Sequence, residues 1–322
     1  MKILVTGGAG YIGSFMVKRL LERGDRVTVI DSLERGHKRA IDGRAEFIKG
    51  NLLNREFIAE VLAKKFDAVI HFAGFISMAE SMEEPYMYFK NNTYSSLNLI
   101  EEMVRLDNNN IIFSSTAGVY GNPVQIPIPE YHPKTPENPY GESKLMVEKL
   151  LNWYGKTKKL NSVALRYFNA AGAALDGSLG EEHDPESHII PKIMEAVIKK
   201  EPFKLFGTDY KTDDGTCVRD YIHVLDLVEA HVLALDKLKR ESGHFAYNVG
   251  TGKGYSNKQV VNMVKKVTKG ELEIVRSPRR PGDADTLIAD PTKIKKELNF
   301  SPKYSSLETI IETAWKWHSK KA

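Results

Sequence analysis

Short, largely apolar runs rich in β-branched residues occur at 3–5, 27–30, 45–48, 68–72, 111–115 and 162–167, and segments of helical period fall at 12–23, 55–64, 85–106, 140–154 and 191–199. The runs lack the polar alternation of a strand with one wet face. A strand of that kind is covered on both sides, so the pattern predicts an α/β fold built on a Rossmann-type doubly wound parallel sheet. After Asn169 the pattern loosens: 170–188 is rich in Gly, Ala, Asp, Glu and His without a period, and 206–215 reads as a turn-rich loop. Strands are expected again at 218–223 and 245–250, and helices at 224–238, 257–266 and 307–320. The expected organisation is a larger Rossmann domain over 1–169 with return segments near 218–250, and a smaller, interleaved α/β domain made of 170–217 and 251–322.

Composition narrows the class. A chain of 322 residues with 42% hydrophobic and 27% charged residues can bury a sizeable core and is an ordinary globular protein. The net charge of +4 is spread among interspersed acids and bases, which points away from nucleic acid as a partner. Cys217 is the sole cysteine, so neither an intramolecular disulfide nor a cysteine-rich metal site forms, and no metal is expected. The chain opens on strand-like residues, and no apolar run approaches the ~20 residues of a membrane helix. The expectation is a cytoplasmic protein with no membrane partner.

Three motifs carry chemistry. In Thr6-Gly7-Gly8-Ala9-Gly10-Tyr11-Ile12-Gly13, Gly7, Gly10 and Gly13 follow a strand and open a helix. Such glycines allow a tight turn and the approach of a pyrophosphate to free helix N–H groups, with Tyr11 and Ile12 among the contacting positions. Asp31 ends the second strand, where a carboxylate accepts from ribose hydroxyls and repels a 2′-phosphate, which favours NAD over NADP, although Arg35 is near enough in sequence to soften the preference. Phe72, Ala73 and Gly74 end the fourth strand, where small residues let a cofactor pass. Finally, Tyr140 and Lys144 share a helix face downstream of Ser114-Ser115-Thr116. A nearby ammonium favours the phenolate, which makes Tyr140 a general base.

These motifs, with Asn91-Asn92, Leu165-Arg166-Tyr167-Phe168-Asn169, Val218-Arg219-Asp220-Tyr221 and Arg279-Arg280-Pro281-Gly282-Asp283, resemble the extended short-chain dehydrogenase/reductase family and, within it, the UDP-glucose/UDP-galactose 4-epimerases. The resemblance covers nearly the whole chain. It implies that Tyr140 is the base, that Lys144 binds the nicotinamide ribose and tunes Tyr140, and that Thr116 bonds the reacting sugar hydroxyl. It further implies cofactor contacts from Asn51, Leu52, Asn91, Ser114 and Tyr167, and UDP-sugar contacts from Phe168, Asn169, His188, Ile189, Phe206, Arg219, Arg280 and Asp283. Asn51 stands where relatives usually carry an aspartate, Ile76 where some carry a lysine, and His188-Ile189 where some carry an asparagine. The same resemblance suggests a homodimer.

The activity so implied is oxidation of sugar C4 by bound NAD, rotation of the 4-keto sugar and return of the hydride to its other face. Two rivals are weighed against it. A nucleotide-sugar 4,6-dehydratase needs acid/base groups after the Thr116 position, where this chain has Ala117-Gly118. A non-catalytic dinucleotide sensor has no use for an intact base, lysine and hydroxyl. Epimerases of N-acetylhexosamines, uronic acids or pentoses stay open.

Overall fold

Residues 1–279 and 283–320 are described by the computed structural model. In chain order the elements are β1 (Lys2–Thr6), α1 (Tyr11–Glu22), β2 (Arg26–Asp31), β3 (Glu46–Lys49), α2 (Arg55–Leu62), β4 (Ala68–His71), α3 (Met78–Glu83), α4 (Pro85–Tyr88), α5 (Ser95–Arg105), β5 (Asn110–Thr116), α6 (Pro139–Lys158) and β6 (Asn161–Tyr167). There follow β7 (Asn169–Ala171), α7 (Ile189–Lys199), β8 (Phe203–Phe206), β9 (Val218–His223), α8 (Val224–Arg240), β10 (His244–Val249), β11 (Gly254–Ser256), α9 (Asn257–Thr268), β12 (Ile274–Ser277), β13 (Thr286–Leu287), α10 (Thr292–Leu298) and α11 (Leu307–His318). Two compact units divide them: Met1–Gly121, Lys134–Arg166 and Val228–Tyr247 in the first, and Asn122–Pro133, Tyr167–Leu227 and Asn248–Ala322 in the second.

Among the described residues, a seven-stranded sheet runs in the order β10-β6-β5-β4-β1-β2-β3. The β1–β2, β2–β3, β1–β4 and β4–β5 pairings are parallel, as the largely apolar runs required. Strand order reverses between β1 and β4, and in such sheets ligands bind in the crevice beyond the carboxyl ends of the strands at that reversal. Leu4, Val69, Ile111 and Phe113 of the strands pack with Ile58 and Leu62 of α2, Leu99 and Met103 of α5, and Val147 and Leu151 of α6. α1 lies against β1 and β2, and its Arg19 pairs with Glu229 of α8.

The stretch 85–106, expected as one helix, is helical without a break over 85–105 but widens in its middle. α4 ends at Tyr88, a π-helical turn spans Phe89–Tyr94, and α5 begins at Ser95. Apolar periodicity cannot register that widening, because the hydroxyls of Ser95 and Ser96 simply follow the carbonyls of Asn91 and Asn92 four residues back. Its consequence is to turn Asn92 inward, where it serves the site described below. α3 and α10 were also not expected, being short; Ser77 caps α3 by accepting from Glu80 N–H.

The second unit has its own core, in which α7, α9 and α11 enclose Ile193, Met194, Val260, Val264, Ile310 and Ile311 against Phe203, Leu205 and Tyr221. β9 pairs with β7, β11 and β13, while β8 and β12 form a separate parallel pair. Buried Asp220 binds this unit together, since its carboxylate accepts from the N–H groups of Thr251, Gly252 and Ala289 and from the Thr251 hydroxyl.

One buried ion pair locks the first unit. Arg166 of β6 forks onto Glu148 of α6, Nε to Oε1 at 2.9 Å and Nη2 to Oε2 at 2.7 Å, with 3% and 4% of the two residues exposed. Glu148 Oε1 also accepts from Ser115 of β5, and Arg166 donates to the Tyr120 hydroxyl at 2.8 Å. Breaking such a pair from one side strands a buried charge. Arg166→Met is therefore expected to lower the unfolding free energy by about 3–5 kcal/mol, and Arg166→Met with Glu148→Leu by clearly less. Urea denaturation checks this, and a single variant as stable as the double one would refute it.

Candidate active site

The glycine loop is built as the motif required. Gly7 has φ +74°, a conformation open chiefly to glycine, and a Cβ there would lie 2.5 Å from the Ala73 nitrogen. A Cβ on Gly13 would lie 2.2 Å from the Gly7 carbonyl oxygen. Gly10, the N-cap of α1, offers no side chain to the helix N–H groups, and the first turn that carries Tyr11 and Ile12 holds no acidic residue. The end of α1 is thus shaped for an anion rather than capped by the protein. Asp31 accepts from Ala9 N–H at 2.9 Å and Leu33 N–H at 2.8 Å, which fixes its carboxylate beside the loop. Arg35, which might have welcomed a 2′-phosphate, is paired with Glu80 at 2.6 Å. The residues present fit NAD.

Other cofactor candidates of this unit are spread along the same strand ends. Phe72 and Ala73 donate their N–H groups to the Thr6 carbonyl. Leu52 is buried, and Asn51 donates to Glu34 and accepts from Leu53 N–H, so its side chain is engaged locally. Asn91 donates to Asn92 Oδ1 at 3.2 Å.

Tyr140 and Lys144 lie in the first two turns of α6, which starts at Pro139 and is capped by Asn138 accepting from Gly141 N–H at 2.8 Å. Glycine at 141 lets the helix start approach the Ala117–Tyr120 turn: a Cβ would sit 2.6 Å from the Gly118 carbonyl oxygen. Thr116 caps that turn by accepting from Gly118 N–H at 3.0 Å, and its side chain lies close enough to the Tyr140 phenol to favour the ionised form. Lys144 donates to the Ser114 carbonyl at 3.0 Å and lies 5.0 Å from the centre of the Phe113 ring. Its Nζ is also 3.3 Å from where a Gly74 Cβ would be. Through Gly74 and Ala73 the reactive pair adjoins the glycine loop.

On one point the structure corrects the sequence reading. The expectation was a Tyr140 phenol pulled down by Lys144. Instead burial raises its pKa, with only the Thr116 side chain opposing, because the Lys144 ammonium is directed at the Ser114 carbonyl. Lys144 itself, 3% exposed, is pushed down to about 8 by burial.

Supporting groups escaped the sequence reading. Asn92 was noted only as a neighbour of Asn91, yet it is buried, accepts from Phe75 N–H at 2.8 Å, and donates to the Phe75 carbonyl and to Ser143 Oγ. Glu148 continues the 140, 144, 148 spacing of α6 into its pair with Arg166. That spacing was the available signal.

The second unit holds the remaining candidates. Tyr167 and Phe168 are buried, and Phe168 donates to the Val249 carbonyl. Asn169 opens β7 opposite Tyr221 of β9, and Phe206 ends β8. Arg219 donates to the carbonyls of Val218 and Ala284, with its Nη2 3.6 Å from Asp283. His188 and Ile189 start α7, where His188 meets Glu181. Arg280 lies outside the described residues.

A sequence model described as the NAD dependent epimerase/dehydratase family matches residues 3–250. The UDP-glucose 4-epimerase of Lacticaseibacillus casei is 47% identical over 320 residues, covering 99% of this chain and 97% of its own. The crystal structure of UDP-glucose 4-epimerase from Bifidobacterium longum in complex with NAD+ and UDP has a TM-score of 0.94 at 35% identity, covering 99% of this chain and 98% of that one. The UDP-Glc/GlcNAc 4-epimerase from Campylobacter jejuni has a TM-score of 0.86 at 39% identity and covers 99% of both chains.

Burying Lys144 has a price that pH should reveal. Its folded pKa of about 8 lies below the ordinary value of 10.5, so the charged form penalises folding below pH 8 and the penalty vanishes as pH rises toward 10.5. The size is about 3 kcal/mol at ~1.4 kcal/mol per unit. Wild-type stability relative to Lys144→Met should therefore climb by roughly that amount between pH 7 and 10.5. A difference that is flat over this range, measured by denaturation at each pH, would mean that the lysine titrates as it does in water.

Proposed function

We propose that this chain, which belongs to the NAD dependent epimerase/dehydratase family, is a UDP-glucose 4-epimerase that interconverts UDP-glucose and UDP-galactose with NAD held as a prosthetic group. The observation that carries the reading is buried Lys144, one helical turn beyond buried Tyr140, donating to the Ser114 carbonyl and set against the Gly74 strand end that packs on the glycine loop. In this reading the first unit holds NAD and the second holds the nucleotide sugar.

Bound NAD supplies a group that accepts hydride from sugar C4 and gives it back. The protein supplies the proton chemistry. Tyr140 takes the proton of the C4 hydroxyl, and its raised pKa makes the phenolate a strong base once formed. Lys144, one helical turn away, holds the nicotinamide ribose in this reading. Thr116 bonds the reacting C4 hydroxyl through its own hydroxyl. Burial of all three keeps water from competing for the proton. In the second unit, Phe206 stacks on the base, Arg219 meets a phosphate, and Asp283 accepts from the ribose. Ala117 and Gly118, which follow Thr116, carry no acid or base for the C5 deprotonation of a dehydratase.

We further propose a homodimer. Tyr94, Met146 and Trp153 are exposed on the π-turn and on α6 of the first unit, more large apolar surface than a lone helix pair needs to show water. With Cys217 as its sole cysteine the chain makes no intramolecular disulfide, which suits a reducing compartment, and we assign the cytoplasm.

The test is turnover of UDP-galactose in deuterated water. The expected product is UDP-glucose without carbon-bound deuterium, because the C4 hydrogen never leaves the site; deuterium on carbon or a 4-keto-6-deoxy product would overturn the assignment. In the same assay Tyr140→Phe should keep its NAD and lose on the order of 10²–10⁴ in rate.

Sugar size is set in this reading by Leu287 of β13, intermediate in bulk between the tyrosine of narrow relatives and the small residues of broad ones. Clear turnover of UDP-glucose and UDP-galactose is expected, with weaker turnover of the N-acetylated pair. Leu287→Tyr should depress the N-acetylated activity selectively, and an unchanged ratio of the two activities would remove Leu287 from that role.

A further inference from the structure

Residues 181–188, Glu181-Glu182-His183-Asp184-Pro185-Glu186-Ser187-His188, connect β7 to α7 within the second unit. The sequence reading weighed only cysteine as a metal ligand, and so expected none here. The fold turns this loop back on itself until four side chains meet. Glu181 Oε1 is hydrogen-bonded to His188 Nδ1 and lies 3.2 Å from His183 Nδ1. Glu186 Oε1 lies 3.7 Å from His183 Nδ1 and 4.0 Å from His188 Nδ1. All four donor atoms fall within 4.8 Å of one another.

That spacing has a physical counterpart. Bonds of ~2.0–2.1 Å in a tetrahedral zinc site place neighbouring ligand atoms roughly 3.3 Å apart. The separations of 3.2, 3.7 and 4.0 Å lie close to such an edge, while the Glu181–His188 contact has to open by about 1 Å to admit the ion. Charge agrees as well. Two carboxylates with two neutral imidazoles carry two negative charges, which a divalent ion cancels. Imidazole in the set favours zinc and its neighbours over magnesium or calcium, which take oxygen ligands.

The ligands are also held from behind. Glu186 Oε1 accepts from Ser187 N–H at 2.7 Å and His188 N–H at 2.8 Å, which orients that carboxylate. The Glu181 carbonyl accepts from Trp317 Nε1 at 2.9 Å, and the Trp317 ring packs where a Gly180 Cβ would be, 2.4 Å away. Outer contacts of this kind preset ligand geometry. Here both rings turn the same nitrogen, Nδ1, toward the same Glu181 oxygen and toward Glu186.

We propose that Glu181, His183, Glu186 and His188 form a binding site for one divalent transition-metal ion, zinc in the first place. With four protein ligands the site is closed, so the ion is structural and takes no part in the chemistry. Its effect falls on His188 and Ile189, the start of α7, which the ion ties to the preceding loop. That these two residues face the uridine rests on the function proposed above.

The experiment uses the full chain, free of any affinity tag and stripped with a chelator. Cobalt(II) is titrated in as a coloured probe for zinc. One equivalent should bind with the intense visible bands of tetrahedral coordination, zinc should displace it, and magnesium should not. His183→Ala and, separately, Glu181→Gln should each weaken uptake by at least 10–100-fold, the scale already seen on losing an outer contact. Far-UV circular dichroism and NAD content serve to admit only folded variants, and Glu186→Gln stands in for either that fails. Absence of the bands, or bands of equal strength in every folded variant, overturns the site. UDP affinity is measured by calorimetry before and after stripping, and should fall several-fold without the ion; an unchanged affinity overturns the link to His188 and Ile189. Metal uptake in a protein that does not turn over UDP-sugars would sink the proposed function and leave the site standing, whereas active protein that binds no cobalt would do the reverse.

Discussion

The architecture of the first unit hangs on a charged pair in its interior. Arg166 and Glu148 are both more than nine-tenths buried, and together they touch β5, β6, α6 and the turn at Tyr120. Apolar packing alone could place α6 on the sheet, but it is tolerant of small slides along the helix. A bidentate guanidinium–carboxylate pair is not, because its two parallel hydrogen bonds are lost together when the helix shifts by a fraction of a turn. Glu148 lies four residues beyond Lys144 and eight beyond Tyr140, so the register it fixes is that of the reactive groups. Ser115, bonded to the same carboxylate, flanks Thr116 and Ser114 on the partner strand. The pair therefore sets two reacting positions at once, which an apolar replacement of equal volume would not do.

Around this frame the site accepts unfavourable electrostatics. A lysine and a tyrosine are buried side by side, and burial pushes each toward its neutral form. His71 shows how the charge is kept where it is wanted. Enclosed between the Thr6 and Ser96 hydroxyls, it is pushed down to about 3, chiefly by burial and then by the charge of Lys144, and stays neutral. Perturbed ionisable groups gathered in one place are characteristic of proton-transfer sites.

Much of this was legible in the sequence because the signals were local. The glycine spacing, the largely apolar runs and the Tyr140–Lys144 interval each need only a few consecutive residues, and the doubly wound sheet follows from their order. What was not legible depends on partners far apart along the chain. Asn92 looks like any helix asparagine until a π-turn points it at Phe75 and Ser143. Asp220 lies in a motif that suggested the substrate through Arg219, but its carboxylate serves Thr251, Gly252 and Ala289. The lowered phenol pKa expected from spacing failed for the same reason: position on a helix face says which groups are near, not which acceptor the ammonium chooses.

The loop 181–188 extends that lesson from strands to irregular backbone. It reads as period-free, its composition matching no regular element. Yet one loop of eight residues gathers two imidazoles and two carboxylates with their donor atoms within 4.8 Å of one another. Regular elements satisfy their own backbone and leave side chains free to pack, whereas a loop must find another source of rigidity if it is to present an ordered helix start. In this chain the loop ends on His188, the N-cap of α7, which has no side-chain cap of its own. A group that grips His188 through its ring thus sets where α7 begins, and side-chain chemistry takes over the ordering role that backbone hydrogen bonds play in the sheet.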